Sequence, residues 1–317
     1  MAAYVVRRIL MVFPLLLGIS MLIFLLIQLA PGDPTMYFLP ESAEFEVDPE
    51  LRQRIIAELG LDQPIPIQYW RWLTSAVRGD FGNSFTHRIP VIQVIMSRLG
   101  HTFQLQLSAL ILSISIAIPV GVISAVKQYS VLDHTVTSLS MLGISIPNFW
   151  LALMLMLVFS LHLGWVPSSG SGYGLPALER IRYFILPTIV LSFTHMASYV
   201  RFMRSSFLEE IRQDYVRTAR AKGLRDQVVL YRHVLRNAIL PVITIIGMSL
   251  PRLLGGAIIV ETIFAWPGIG RLSYNAVLRR DYPTIMGTTT MMATVVIMAN
   301  LLTDVTYAFV DPRIKYH

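Results

Sequence analysis

Six stretches of this chain are long and apolar enough to cross the hydrocarbon core of a bilayer, which takes roughly 20 residues of helix. They cover approximately residues 9–30, 102–126, 135–161, 183–200, 238–264 and 285–308. A chain built this way folds with lipid, not water, around it. Its surface follows suit, with 54% hydrophobic and only 14% charged residues, where a soluble domain carries about 25% charged. The fold class expected is all-α, a polytopic bundle of six transmembrane helices. The first span follows Arg7 and Arg8 as a signal peptide would, but its apolar run outlasts the ~7–15 residues of a cleavable segment, so it reads as a retained anchor.

Orientation follows from the lysines and arginines in the short connections. With the N-terminus inside, fourteen basic residues fall on the cytoplasmic side, and only Arg180, Arg182, Arg271, Arg279 and Arg280 in the short outer loops. Both termini are therefore expected in the cytoplasm, with Arg279 and Arg280 running against the bias. The long outer segment 31–98 has no say, because segments of that length cross regardless of charge. A formal net charge of +7 is thus what cytoplasmic loops produce, and it does not call for nucleic acid. With no cysteine in the chain, disulfides, thiolate nucleophiles and cysteine metal sites are excluded.

Only Arg252, Glu261 and Asp304 among the charged residues fall inside the expected spans. A charge at mid-bilayer costs about 2.5 to 3.5 kcal/mol, so each needs a cavity, a partner or an interface. Asp304 belongs near the inner interface and Glu261 near the outer one. Arg252 is the deepest, and Glu261 nine positions on lies on the opposite side of a continuous helix. A water-filled path and a packing role both remain open for Arg252.

Outside the spans, Asp48-Pro49 followed by Leu51, Ile55, Ile56, Leu59 and Gly60 reads as a capped, amphipathic helix. Residues 67–85 mix Tyr69, Trp70 and Trp72 with charges, as at a membrane interface. In the second span Ala109, Ser113, Ala117, Gly121 and Ala125 recur every four residues, a close-packing face. Pro119, Pro147, Pro187, Pro241 and Pro251 bend or end spans. The Gly/Ser-rich run 168–174 lacks the lysine of a phosphate loop and reads as a flexible connector.

The longest cytoplasmic connection, 201–236, carries nine basic and four acidic residues. Phe207, Ile211, Tyr215 and Ala219 at intervals of four give a charged helix one apolar face, Arg220 and Lys222 suit its C-terminus, and Gly223 stops it. A second short helix can start at Asp226 and run to Leu235. By periodicity alone this is equally a helical protrusion that meets a partner and a helix lying on anionic lipid.

The segment Asp214-Tyr215-Val216-Arg217-Thr218-Ala219-Arg220-Ala221-Lys222-Gly223-Leu224, followed by Arg236-Asn237-Ala238-Ile239-Leu240-Pro241, resembles the cytoplasmic signature of ABC importer membrane subunits of the dipeptide, oligopeptide and nickel branch. The general pattern is Glu-Ala-Ala, three residues, then Gly; only Ala219 and Gly223 match it here. Pro31-Gly32-Asp33-Pro34, Leu59-Gly60-Leu61-Asp62-Gln63-Pro64, Gly79-Asp80-Phe81-Gly82, Val260-Glu261-Thr262-Ile263-Phe264 and Trp266-Pro267-Gly268-Ile269-Gly270 resemble the same branch, so the likeness covers nearly the whole chain.

The resemblance implies a type I importer permease in a bacterial or archaeal inner membrane. It would contribute half of a path for peptides, beside a second homologous permease in a heterodimer, above two ABC ATPase subunits and below an extracytoplasmic peptide-binding protein. ATP and magnesium would sit on those ATPases, so this chain would itself be no enzyme and hold no cofactor or metal. It implies that Asp214, Tyr215, Arg217, Thr218, Ala219, Ala221, Lys222, Gly223 and Leu224 couple to the ATPase, with Ala219 and Gly223 allowing close backbone approach. It places Arg252, Glu261, Trp266, Pro267 and Gly268 at the outer gate or pathway. Residues 1–100 would be the first span and its extracytoplasmic cap, 101–308 the permease core with its coupling loop, and 309–317 a cytoplasmic tail. Nickel chelates and glutathione are alternative cargoes. An ion-coupled secondary transporter would need a relay of buried acids or histidines, for which only Glu261, Asp304 and His195 offer themselves. No H-E-x-x-H or G-x-S-x-G supports a membrane enzyme.

Overall fold

The computed structural model describes residues 2–29, 49–58, 60, 62–254 and 257–310. The Pro31–Pro34 motif, Asp48, Leu59, Leu61 and residues 311–317 lie outside them, as do the side chains of Arg252 and Asp304. In chain order the helices are α1 (Ala2–Leu29), α2 (Pro49–Glu58), α3 (Ile65–Val77), α4 (Val91–Val126), α5 (Val131–Ser145), α6 (Asn148–Leu155), α7 (Ala177–Glu210), α8 (Asp214–Ala221), α9 (Asp226–Val228), α10 (Leu235–Leu254), α11 (Ile258–Ile263), α12 (Ile269–Leu278) and α13 (Tyr282–Val310). Among the described residues five helical stretches are long and apolar enough to span a membrane, or six if a bent pair is counted as one span.

That bent pair is the third expected span, which is not one straight helix. Helices Val131–Ser145 and Asn148–His162 meet at 104°. The cause is Pro147, whose ring disfavours helical backbone at the preceding residue; Ile146 is accordingly extended (φ −77°, ψ 122°). The fifth expected span is also broken, into α10 and α11, so Arg252 and Glu261 do not share a helix and their wheel relation does not apply. The second and fourth spans reach well beyond their apolar centres, to Val91 and to Ala177–Glu210. Backbone hydrogen bonding carries a helix on past the point where the lipid stops.

The chain forms two compact units, Met1–His101 with Gly268–His317, and Thr102–Pro267. In the first, α1 packs along α13, and α3 is fastened to α1 by Tyr69, whose hydroxyl lies 2.9 Å from Ser20 Oγ and whose ring meets Phe24 edge-on at 5.4 Å. Val91, Val94, Ile95, Ile269 and Leu272 form its core. Asp281, 1% exposed, precedes α13 and accepts from Ser84 Oγ (2.5 Å), Phe85 N (3.1 Å) and Thr86 N (3.2 Å), and from Thr284 N in the first turn of α13 (3.3 Å). One carboxylate thus caps a helix and clamps the segment that follows the Gly79–Gly82 motif.

In the second unit α7 is central, packed on α5, α6 and α10. The small-residue face expected on α4 is there: Ala109, Ser113, Ala117 and Ala125 are buried. A Cβ on Gly121 would sit 2.7 Å from Met203 Cβ and 2.9 Å from the Val200 carbonyl, so the backbones of α4 and α7 come as close as that glycine allows. Polar side chains add links across the same seams, Ser113 Oγ to Ser192 O at 3.0 Å, Ser206 Oγ to Ala238 O at 2.7 Å, and Tyr199 with Ser249 at 2.8 Å. Such bonds contribute about 0.6 kcal/mol each in a membrane bundle. The Gly/Ser-rich run, expected to be a loose connector, is tied down: Gly170 N–H donates to Phe264 O at 2.8 Å, and Gly172 lies against Tyr183.

Candidate functional site

The connection after α7 folds into a compact knob. The helix expected to run through Phe207, Ile211, Tyr215 and Ala219 stops at Glu210, and extended backbone at Gln213 (ψ 151°) starts α8 afresh. This break turns the face. Val216 (0% exposed) and Ala219 (8%) point inward, onto Phe207 and Met203 of α7 and onto Val229, Leu230 and Val234, while Tyr215 lies partly outside. The Ala219 side chain fits α8 to its own chain.

Gly223 closes α8 in a Schellman turn: its N–H donates to Arg220 O (2.9 Å) and that of Leu224 to Ala219 O (3.4 Å). The turn needs left-handed backbone, and Gly223 has φ +78°. A side chain there would meet nothing within 4 Å, so the glycine is required by conformation, not by space inside this chain. Arg220 Nε then reaches Asp226 Oδ1 at 2.9 Å, joining the end of α8 to α9. The second short helix expected here runs on, through α9 and a π-type turn at Val229–Val234, directly into α10. What faces outward is Asp214, Tyr215, Arg217, Thr218, Ala221, Lys222 and Leu224, polar for the most part and basic on balance. The Tyr215 hydroxyl donates to Glu210 Oε2 at 2.7 Å; partial burial and then that acidic neighbour push the phenol above its usual range.

Behind the knob stands an ion pair that no motif in the sequence announces. Asp133 at the start of α5, 2% exposed, takes Arg204 Nε at 2.6 Å and Nη2 at 2.8 Å, Ser124 Oγ at 2.6 Å and Tyr129 N at 2.9 Å. Arg204 lies on α7 within a turn of Met203 and Phe207. One carboxylate therefore joins α5 to α7 and the end of α4 beside the core that seats α8.

Of the expected gate residues, Glu261 and Trp266 sit deep. Glu261 on α11 is 0% exposed, and its Oε1 accepts from Thr102 Oγ1 at 2.9 Å and Ala257 N at 3.4 Å. Trp266, also 0% exposed, packs edge-on to Phe184 at 4.5 Å and donates its backbone N–H to Glu261 O at 2.8 Å. Pro267 is half-buried and Gly268 is buried at the start of α12. Neither Glu261 nor Trp266 presents a surface to a docking protein; they hold the turn together. Among the described residues no group of three or more potential metal ligands occurs. His195 stacks on Tyr199 at 6.1 Å.

Comparison with known proteins places this architecture. Residues 117–316 match the family of the binding-protein-dependent transport system inner membrane component, and residues 1–106 match its N-terminal companion. The chain is 45% identical to the oligopeptide transport system permease protein AppB of Bacillus subtilis, over 100% of both chains. It is 40% identical to the dipeptide transport system permease protein DppB of Escherichia coli K12, over 100% of this chain and 99% of that one. The inward-facing MetNI methionine ABC transporter shares the fold, with a TM-score of 0.55 at 18% identity, over 69% of this chain and 97% of that chain. A polytopic helical membrane protein matched from end to end in this way belongs to the family of binding-protein-dependent transport system inner membrane components.

Proposed function

We propose that the chain is one of two permease subunits of an ATP-driven peptide importer, and that the knob around α8 is the part a separate ATPase grips. Relatives named for oligopeptide and dipeptide transport support the cargo class. The observation that carries the coupling role is the construction of the knob: buried Val216 and Ala219 root it in the α7 core, while Arg217, Thr218, Ala221, Lys222 and Leu224 are left outward around a Gly223 turn with open space beside it. A helix resting on headgroups needs no such rooting. The second permease differs from this one, two ATPases carry the ATP and magnesium, an extracytoplasmic binding protein delivers peptide, and both termini are cytoplasmic. Residues 1–100 form the first span and cap, 101–308 the permease core and 309–317 the tail. Nucleotide-driven closure of the ATPases moves the docked knobs and exchanges outward and inward access, with Arg252, Glu261 and the Trp266-Pro267-Gly268 turn on the pathway or gate side.

A photocrosslinker at Ala221 or Arg225 in intact cells should capture an ATPase subunit, and Gly223→Val should abolish peptide-stimulated ATP hydrolysis with membrane insertion intact. Capture of lipid alone would remove the coupling role. Peptide uptake that survives ATP depletion but stops when the proton gradient collapses would remove the importer reading itself.

A further inference from the structure

Two arginines stand out on the side that the charge bias assigns to the exterior. Arg88 and Arg280 are both exposed, and both have left-handed backbone, with φ of 55° and 53°. Side chains other than glycine, asparagine or aspartate rarely adopt it. At the end of α12, Arg280 N–H donates to Val277 O (3.1 Å) and Asp281 N–H to Ala276 O (2.9 Å), the same Schellman turn that closes α8. On α8 the left-handed place is filled by glycine; on α12 it is filled by arginine.

The buried Asp281 brings the two together. It follows Arg280 directly, and its carboxylate accepts from Phe85 and Thr86, three and two residues before Arg88. Arg88 N–H itself donates to Ser84 O at 2.8 Å, and Ser84 Oγ is held by Asp281. His87 and Arg279 are exposed beside them. Neither Arg88, Arg279 nor Arg280 forms an ion pair with a described residue. Arg88 also lines a cavity of about 770 Å³, whose other charged walls are Arg71 and Asp80. Asp80 Oδ1 accepts from Gly82 N at 2.9 Å.

We propose that Arg88 and Arg280, set in fixed positions by the Asp281 clamp, dock the acidic face of the extracytoplasmic binding protein that delivers peptide. This rests on the importer reading and on the orientation given above. Fixed placement is what selects the partner. Lipid phosphates are fluid and reachable by any flexible arginine stem, so they need no clamped backbone. Carboxylates on a folded protein have set positions, and guanidinium groups carried on a fixed backbone can meet them in the bidentate geometry that gives such pairs their specificity. Exposed cations without an ion-pair partner among the described residues also steer an acidic partner inward and speed its encounter.

The test uses Arg88→Gly, Arg280→Gly and the double variant in the assembled complex, in phosphatidylcholine nanodiscs. Glycine suits left-handed backbone, so the thermal midpoint should hold or rise, and a loss of binding will not be a loss of fold. ATPase activity is titrated with the peptide-loaded binding protein that stimulates the wild-type complex. The double variant should need about tenfold more of it for half-maximal stimulation, the order expected for two exposed bidentate pairs, with basal activity unchanged and the gap narrowing as salt rises. An unaltered half-stimulating concentration overturns the proposal. So does a defect that appears only when phosphatidylglycerol is added, which would assign the arginines to headgroups. A wild-type complex that no peptide-loaded binding protein stimulates would remove the importer reading, and this docking surface with it.

Discussion

Substitution of Gly121 by alanine should loosen the joint between α4 and α7, and Gly100→Ala in the same helix should do the reverse. At position 121 the added Cβ would lie 2.7 Å from Met203 Cβ, 3.0 Å from its Cγ and 2.9 Å from the Val200 carbonyl. Ordinary carbon contacts lie at about 3.5–4.0 Å, so the helices must part by about 1 Å or Met203, 0% exposed, must leave its place. Overpacking of this kind costs about 1–3 kcal/mol. A Cβ added at Gly100 would meet nothing within 4 Å, and the residue has ordinary helical backbone, so alanine there only restrains the unfolded chain and should add up to about 1 kcal/mol. Thermal unfolding of the two variants in detergent should therefore move in opposite directions by a few degrees. A Gly121→Ala protein that unfolds at or above the wild-type temperature would refute the close approach of α4 and α7.

Arg204→Met should destabilise by about 3 kcal/mol, because it strands the Asp133 carboxylate in a buried site; Arg204 is 25% exposed, which places the figure at the low end of the usual range. Denaturation of Asp133→Leu/Arg204→Met should show less damage than the sum of the single changes, and strict additivity would count against a direct pair. Asp281→Ala should remove the carboxylate to which the N–H groups of Phe85 and Thr86 donate, at about 2–3 kcal/mol. Hydrogen exchange at those two amides should quicken, and unchanged protection would show that the clamp is not what fixes them.

Much of this protein is legible in its sequence because lipid makes apolarity a local property. Each span announces itself, and the small-residue face from Ala109 to Ala125 packs as its spacing demands. The ends and breaks are harder to read. The charges from Arg201 to Glu210 mark the end of the apolar stretch, yet α7 continues unbroken through them and stops only at Glu210. Gly223 marks the end of α8 plainly, but which way α8 faces depends on the short interruption after Glu210, which rotates Val216 inward in place of Tyr215. Asp133 falls just outside an apolar run, and its partner lies 71 positions along the chain. No periodicity relates them; only the packing of α5 on α7 does. Glu261 reads as a charge near an interface because its acceptor role toward Thr102, 159 residues away, is equally invisible.

The core beneath α8 also has a mechanical meaning. Val216 and Ala219 bear on Phe207 and Met203, and Met203 bears on the bare backbone at Gly121. Close-packed interiors of this sort are nearly incompressible. A shove delivered to the knob therefore has no soft layer in which to dissipate, and α4 and α7 must answer it together, as one stiff wedge without backlash.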